Sequence, residues 1–157
     1  MNAKRHVLID ANLLVLLVVG IADISLISRH KRTRAFLDKD FSLLLQILSG
    51  FKTILVTPNV MTEASNLLGQ ATGPDRDLVM STLATLISKF EEEYIRSIDA
   101  THQSDFLRLG LTDAVILRSA GAVDCIITAD LDLYLALSKA GHNVVNFNHV
   151  RMSGWAS

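Results

Sequence analysis

Short apolar segments alternate with helical patterns along the chain, and this alternation most limits the folds that the chain can adopt. The apolar runs hold four or five residues, and most are bounded by turn or capping residues, which favours buried strands. Strands joined by helices favour a parallel sheet with helices on both faces, an α/β architecture. We predict strands at 6–9, 53–56, 94–98, 124–128 and 144–147, and helices at 13–21, 41–48, 58–68, 75–93, 101–109, 112–120 and 131–139.

The length and composition favour one globular domain spanning residues 1–157. The chain has 157 residues, half of them hydrophobic, and a formal charge of −1. These values argue against disorder and against nucleic-acid binding by bulk positive charge. The single cysteine, Cys125, excludes a disulfide framework within the chain and favours a cytoplasmic location. The longest apolar run, 13–22, is shorter than the roughly 18 residues of a membrane span, so no membrane association is expected.

Aspartates follow two of the predicted strands. Asp10 comes directly after the first strand, Asp130 shortly after the fourth, and Asp132 lies just beyond. Ligands of open α/β sheets bind beyond the carboxyl ends of the strands, which makes these aspartates candidate site residues. A simpler explanation is that each one caps the helix that follows it.

Two further acids belong to predicted helices. Glu63 falls in the second turn of a helix capped by Thr57, past the positions that a capping box uses. Asp113 opens another helix, with Thr112 as its plausible cap. Glu63 could also be a glutamate at the border of the core that pairs with a basic residue. The predicted topology nevertheless allows both acids to reach the sheet edge where Asp10 and Asp130 lie.

Such a cluster of acids requires compensation. Two carboxylates about 5 Å apart repel by roughly 3 kcal/mol at an effective dielectric constant of 20. Close carboxylates therefore raise each other's pKa or bind a cation, and Mg²⁺ and Mn²⁺ prefer oxygen ligands. A metal held there can activate water and orient a phosphate group, which suggests metal-assisted phosphodiester hydrolysis.

Four segments resemble the motifs of PIN-domain ribonucleases, in the order in which that family has them. They are 8–14 (LIDANLL), 57–63 (TPNVMTE), 111–114 (LTDA) and 127–132 (ITADLD), and the resemblance covers about residues 6–147. It implies a three-layer α/β/α sandwich with a parallel sheet of about five strands. It also implies Mg²⁺- or Mn²⁺-dependent cleavage of RNA by a water molecule.

The resemblance also implies roles for particular residues. Asp10, Glu63, Asp113 and Asp130 would be the catalytic acids that hold the metal, and Asp132 would be an additional or substitute ligand. Asn12 would brace the first motif, and Thr128 would help to position the metal or its water.

Many PIN ribonucleases are toxins of toxin–antitoxin pairs, and the family often forms homodimers. An antitoxin or another inhibitory protein, and a homodimer, are therefore expected partners besides RNA. This chain departs from those toxins in a longer early segment that carries Arg29, Lys31, Arg32 and Arg34. That basic cluster is predicted either to contact RNA phosphates or a partner, or to be an ordinary solvated surface. The tail from about residue 148, with Trp155, is predicted to be poorly ordered.

Three other functions are compatible with parts of the pattern. A receiver domain would have adjacent acids after the first strand and a lysine after the last, and this chain has neither. A haloacid-type phosphatase would have a second aspartate where Asn12 stands. A PIN scaffold that binds RNA or protein without cleaving it would be expected to have lost some of the acids, which are all present here.

Overall fold

The computed structural model describes residues 5–153 and contains a five-stranded, all-parallel sheet. The strand order is β3-β2-β1-β4-β5, so the first strand is central. The strands are β1 His6–Ile9, β2 Thr53–Val56, β3 Glu91–Glu92, β4 Cys125–Thr128 and β5 Val144–Asn146. The predicted α/β class and the parallel sheet of five strands are therefore confirmed.

Helices cover both faces of this sheet. The chain moves from β1 towards β3 on one side of the centre and then returns to β4 and β5 on the other. Because parallel crossovers are right-handed, this path places the first four helices on one face and the next four on the other. The helices are α1 Ala11–Ala22, α2 Asp38–Leu48, α3 Pro58–Leu68, α4 Gly73–Ile87, α5 Ser97–Ala100, α6 Phe106–Leu109, α7 Leu111–Ser119, α8 Leu131–Lys139 and α9 Phe147–Met152.

Helix α1 lies at the centre of the core. Every residue from Leu13 to Gly20 is buried, as expected of a helix that is apolar on nearly every side. It packs against α2, α3 and α4, and Gly20 allows the Phe41 ring of α2 to approach its backbone. No helix within residues 5–153 is both long and apolar enough to cross a membrane.

The third strand was predicted in the wrong place. Residues 94–98 form a loop and the start of α5, where Tyr94 is 71% and Ile98 is 59% exposed. The strand is instead Glu91–Glu92, which pairs with Leu55 and Val56 of β2. Two exposed glutamates at the sheet edge carry no apolar pattern, so this strand had no sequence signal.

Other predicted boundaries also need correction. The helix predicted at 75–93 is α4, which ends at Ile87. Of the helix predicted at 101–109, only Phe106–Leu109 is helical, as α6, and α5 ends before it at Ala100. Helix α9 begins at Phe147 directly after β5, so the start of the tail is helical. The Asn146 side chain caps α9 by accepting bonds from the backbone of Asn148 and His149. Trp155 lies outside the described residues.

Candidate functional site

Two aspartates lie at the carboxyl ends of neighbouring strands. Strands β1 and β4 pair in parallel, and Asp10 and Asp130 follow them. Each aspartate caps its helix with one oxygen: Asp10 Oδ1 accepts from the Leu13 backbone and Asp130 Oδ1 from the Leu133 backbone, both at 3.0 Å. The capping explanation is therefore correct for both residues. Capping leaves the Oδ2 atom of each carboxylate unused.

Thr128 connects the two aspartates. Its side chain is buried at the end of β4, and its hydroxyl donates a hydrogen bond to Asp10 Oδ2. The same oxygen accepts from the Ala129 backbone at 2.9 Å, and the Thr128 hydroxyl accepts from the Asp130 backbone at 2.9 Å. Since its proton is used on Asp10, Thr128 acts first on the aspartate rather than directly on a metal or water.

Glu63 and Asp113 reach the same place from two helices that contact each other. Glu63 lies in the second turn of α3, and Asp113 in the first turn of α7. Gly110 precedes α7 with φ +87°, a conformation that favours glycine and sets the direction in which the helix starts. Asp10, Asp130, Glu63 and Asp113 all line one cavity of about 300 Å³, which we call the acidic pocket. Its lining is Asp10, Ala11, Asn12, Glu63, Leu109, Gly110, Leu111, Thr112, Asp113 and Asp130.

The acidic pocket has an excess of negative charge. Burial, followed by the charges of the other four acids of the cluster, raises the pKa of Asp113 from its ordinary value of 3.8 to about 7. Burial also raises the pKa of Asp10, although its hydrogen bonds from Thr128, Leu13 and Ala129 oppose that rise. In the described part of the chain, no lysine, arginine or histidine lines the pocket. The pocket therefore favours either a proton or a cation.

The donor chemistry of the pocket fits a hard divalent cation, since all its charged groups are carboxylates. The side chains are not yet arranged around one point. Within residues 5–153, no three Asp, Glu, His or Cys side chains are grouped closely enough to hold a metal ion. Glu63 and Asp130 are exposed, so their side chains can change rotamer to close on a cation.

No protein-family model matches this sequence, and comparison with curated proteins finds no match either. The geometry of the site therefore carries the functional argument.

Asn12 was predicted to brace the first motif, and Asp132 to be an additional or substitute metal ligand. Asn12 lines the pocket and is exposed, and its side chain makes no hydrogen bond to any other residue in 5–153, so no bracing by its amide is seen. The observed brace of Asp10 is Thr128. Asp132 does not line the pocket, and its carboxylate lies 3.9 Å from the Arg108 guanidinium.

The basic cluster is not part of the acidic pocket. Arg32 donates to the Gln70 side chain at 2.8 Å, just beyond the end of α3, and Arg29 lies 3.4 Å from Asp75 of α4. Arg29 and Lys31 line a separate cavity of about 180 Å³. None of the four basic residues lines the acidic pocket. Contact of this cluster with RNA or a partner stays a prediction.

A neighbouring cavity was not predicted from the sequence. It measures about 400 Å³, is lined by Pro58, Asn59, Thr62, Glu63, Asn66 and Thr112, and shares Glu63 and Thr112 with the acidic pocket. We call it the α3 groove. Its signal in the sequence was the polar spacing at 59, 62, 63 and 66, which places these residues on one face of a helix.

Proposed function

We propose that this protein is a metal-dependent ribonuclease that hydrolyses RNA phosphodiester bonds. The observation that carries the proposal is the convergence of Asp10, Glu63, Asp113 and Asp130 on one pocket, whose lining within residues 5–153 has no positively charged side chain. The raised pKa of Asp113 indicates that burial and the neighbouring acids disfavour the ionised form of this carboxyl group. A divalent cation is the partner that such a set of oxygens accepts best.

The four carboxylates are the residues that would hold Mg²⁺ or Mn²⁺. Bound there, the cation would neutralise phosphate charge and lower the pKa of a water molecule. Thr128 and two backbone amides fix Asp10. Its Oδ2 accepts two of these hydrogen bonds, whereas Oδ1 accepts one and keeps a free lone pair. Asp113 must release its proton before it can act as a metal ligand, so binding of the cation by Asp113 should strengthen as the pH rises through about 7.

A second candidate function is a PIN-like module that binds RNA or protein without cleaving it. One observation favours it: in the part of the chain that the structure describes, no three potential ligands are grouped closely enough to hold a metal. A homodimer and an inhibitory antitoxin stay predictions that rest on the resemblance to PIN ribonucleases, and a cytoplasmic location stays a prediction that rests on the single cysteine.

The deciding experiment is cleavage of a mixed single-stranded RNA pool in Mn²⁺, Mg²⁺ or EDTA. Glu63→Gln is the best variant, since Glu63 is exposed and supports no hydrogen bond within residues 5–153, so the fold should survive. We expect metal-dependent cleavage that falls at least about tenfold in this variant, because loss of even an outer partner of a metal ligand has an effect of that size.

The matched control is Asp77→Asn, which removes an exposed carboxylate on α4 that does not line the acidic pocket. It should cleave like the wild type. Equal cleavage by Glu63→Gln and wild type would exclude Glu63 from the site. No cleavage by the folded wild type in either metal would favour the binding module.

A further inference from the structure

The α3 groove continues directly from the acidic pocket, since both cavities include Glu63 and Thr112 in their walls. On α3 the residues Asn59, Thr62, Glu63 and Asn66 follow the spacing i, i+3, i+4, i+7 and form one face. The opposite face of α3 carries the buried residues Val60, Ala64 and Leu68. The helix therefore presents a polar stripe that leads from the acidic pocket into the groove.

The polar side chains that line the groove have no hydrogen-bond partners in the described part of the protein. Those of Asn59, Thr62, Asn66 and Thr112 make no hydrogen bond to any other residue in 5–153. Hydroxyls elsewhere behave differently: on α4, Ser81, Thr82 and Thr85 all bond to carbonyls three or four residues earlier. The groove thus offers free amide and hydroxyl groups on a rigid helix.

The chemistry of this lining indicates what it binds. Glu63 is the only charged residue among the described residues that line the groove, so a phosphate group would be repelled and an uncharged polar group is preferred. Carboxamides provide a donor and an acceptor side by side, which matches the edge of a nucleobase. Proteins read RNA bases in this way when the bases are single-stranded and unstacked.

We propose that the α3 groove binds the base of the nucleotide next to the phosphate that occupies the acidic pocket, and that Asn59 and Asn66 determine base preference. This inference rests on the proposed ribonuclease function, because it places the backbone of a single RNA strand at the acidic pocket. It adds a substrate class: unpaired RNA in which one base is turned into the groove. Double-stranded RNA is excluded, since its base edges are already paired.

The test is RNA binding, measured by fluorescence anisotropy on the full chain. The probes are a labelled single-stranded RNA heptamer and a heptamer of the same length with stable abasic riboses. Titrations are done in EDTA and again in Mg²⁺, with a gel to verify that the RNA is intact. We expect the wild type to bind the base-containing RNA at least about tenfold more tightly, as loss of one to two hydrogen bonds would give.

The variant Asn59→Leu/Asn66→Leu keeps the size of both side chains and removes their hydrogen-bonding groups. It should bind both probes within about twofold of each other. Gln46→Met, an equivalent change at an exposed position on α2, should keep the wild-type ratio. Circular dichroism verifies the fold of each variant.

The possible outcomes separate this inference from the ribonuclease proposal. Unchanged discrimination in the double variant, or no discrimination by the wild type, would overturn the role of the groove even if metal-dependent cleavage is found. Discrimination that the double variant loses, in a protein that never cleaves RNA, would support the groove and remove the ribonuclease. No RNA binding by the wild type would overturn the groove.

Discussion

Among individual residues, Asp113 has the clearest electrostatic consequence. Its pKa in the folded protein is about 7, against an ordinary value of 3.8, because burial and the neighbouring acids disfavour its charge. Between these two values the folded protein holds a proton that the unfolded chain has lost. The contribution of Asp113 to stability therefore decreases as the pH rises from about 4 to about 7.

Asp113→Asn should consequently stabilise the metal-free protein at high pH. Relative to wild type, we expect its free energy of unfolding to gain at least about 1 kcal/mol between pH 5 and pH 8, since each shifted pKa unit corresponds to about 1.4 kcal/mol before solvent screening. Urea denaturation in EDTA measures the difference. The exposed Asp77→Asn change should show no such trend. A difference between Asp113→Asn and wild type that stays constant with pH would contradict the raised pKa.

The sequence predicted which acids would meet but not how they would be held. Strand ends and helix starts place Asp10 and Asp130 by topology alone, so their proximity could be predicted. The bond from Thr128 to Asp10 joins the end of β4 to the residue that follows β1, and the periodicity of the sequence contains no information about such bonds. Bracing by Asn12, whose side chain makes no hydrogen bond within residues 5–153, stays a prediction.

At the level of secondary-structure elements, the contact between α1 and α2 depends on one glycine. A Cβ atom at Gly20 would overlap the buried Phe41 ring, so Gly20→Ala should destabilise the protein. Overpacking of this kind costs about 1–3 kcal/mol, which exceeds the gain of at most about 1 kcal/mol in helix propensity. We expect a net loss of about 1 kcal/mol or more in urea denaturation.

Gly121→Ala is the control for this change, because a Cβ atom there meets nothing within 4 Å. Its stability should stay within about 0.5 kcal/mol of wild type. In the double variant Gly20→Ala/Phe41→Leu, a smaller side chain replaces the ring. Its loss of unfolding free energy should be less than the sum of the losses in the two single variants. Strict additivity would mean that the overlap does not cause the destabilisation.

Elements with a strong apolar pattern were predicted to within a residue or two, and those without one were not. Strands β1, β2 and β4 are buried runs that the sequence shows directly. Strand β3 forms only because β2 offers Leu55 and Val56 as partners, and its own residues are exposed glutamates. Pairing decided by a neighbouring strand cannot be predicted from a local pattern.

For the molecule as a whole, one ion pair joins the end of the described chain to its first half. Arg151 of α9 donates to Asp40 at 2.8 Å and to the Ala35 carbonyl at 3.0 Å, and its guanidinium lies over the Phe36 ring. The exposed fraction of the Asp40 side chain is only 3%. This contact attaches α9 to the segment that leads into α2.

Arg151→Met should lower the free energy of unfolding by about 3 kcal/mol at pH 7, because it leaves a buried carboxylate without its cation. Burial acts to raise the pKa of Asp40, but the Arg151 hydrogen bond and charge, with a backbone bond from Leu37, lower it overall. The stabilisation is therefore fully present above about pH 4 and is lost as the pH falls through the lowered pKa.

Denaturation at pH 7 and at about pH 3 would measure this effect. The gap between wild type and Arg151→Met should narrow at the lower pH. Arg34→Met, at an exposed arginine without a side-chain ion pair in the described residues, should change stability by less than about 0.5 kcal/mol at either pH. A gap of equal size at both pH values would mean that Arg151 stabilises the protein through packing alone.

The central position of β1 also affects how the protein must be made. On the ribosome, β1 and the almost wholly buried α1 are synthesised before β4, and Val7 pairs with Cys125 of β4, far along the chain. Until β4 emerges, strand β1 can pair on one side only, with β2. Sheets that depend on such distant strand pairs fold slowly and expose apolar, aggregation-prone surface until they are complete. We therefore expect the nascent chain to bind chaperones that recognise apolar segments during translation.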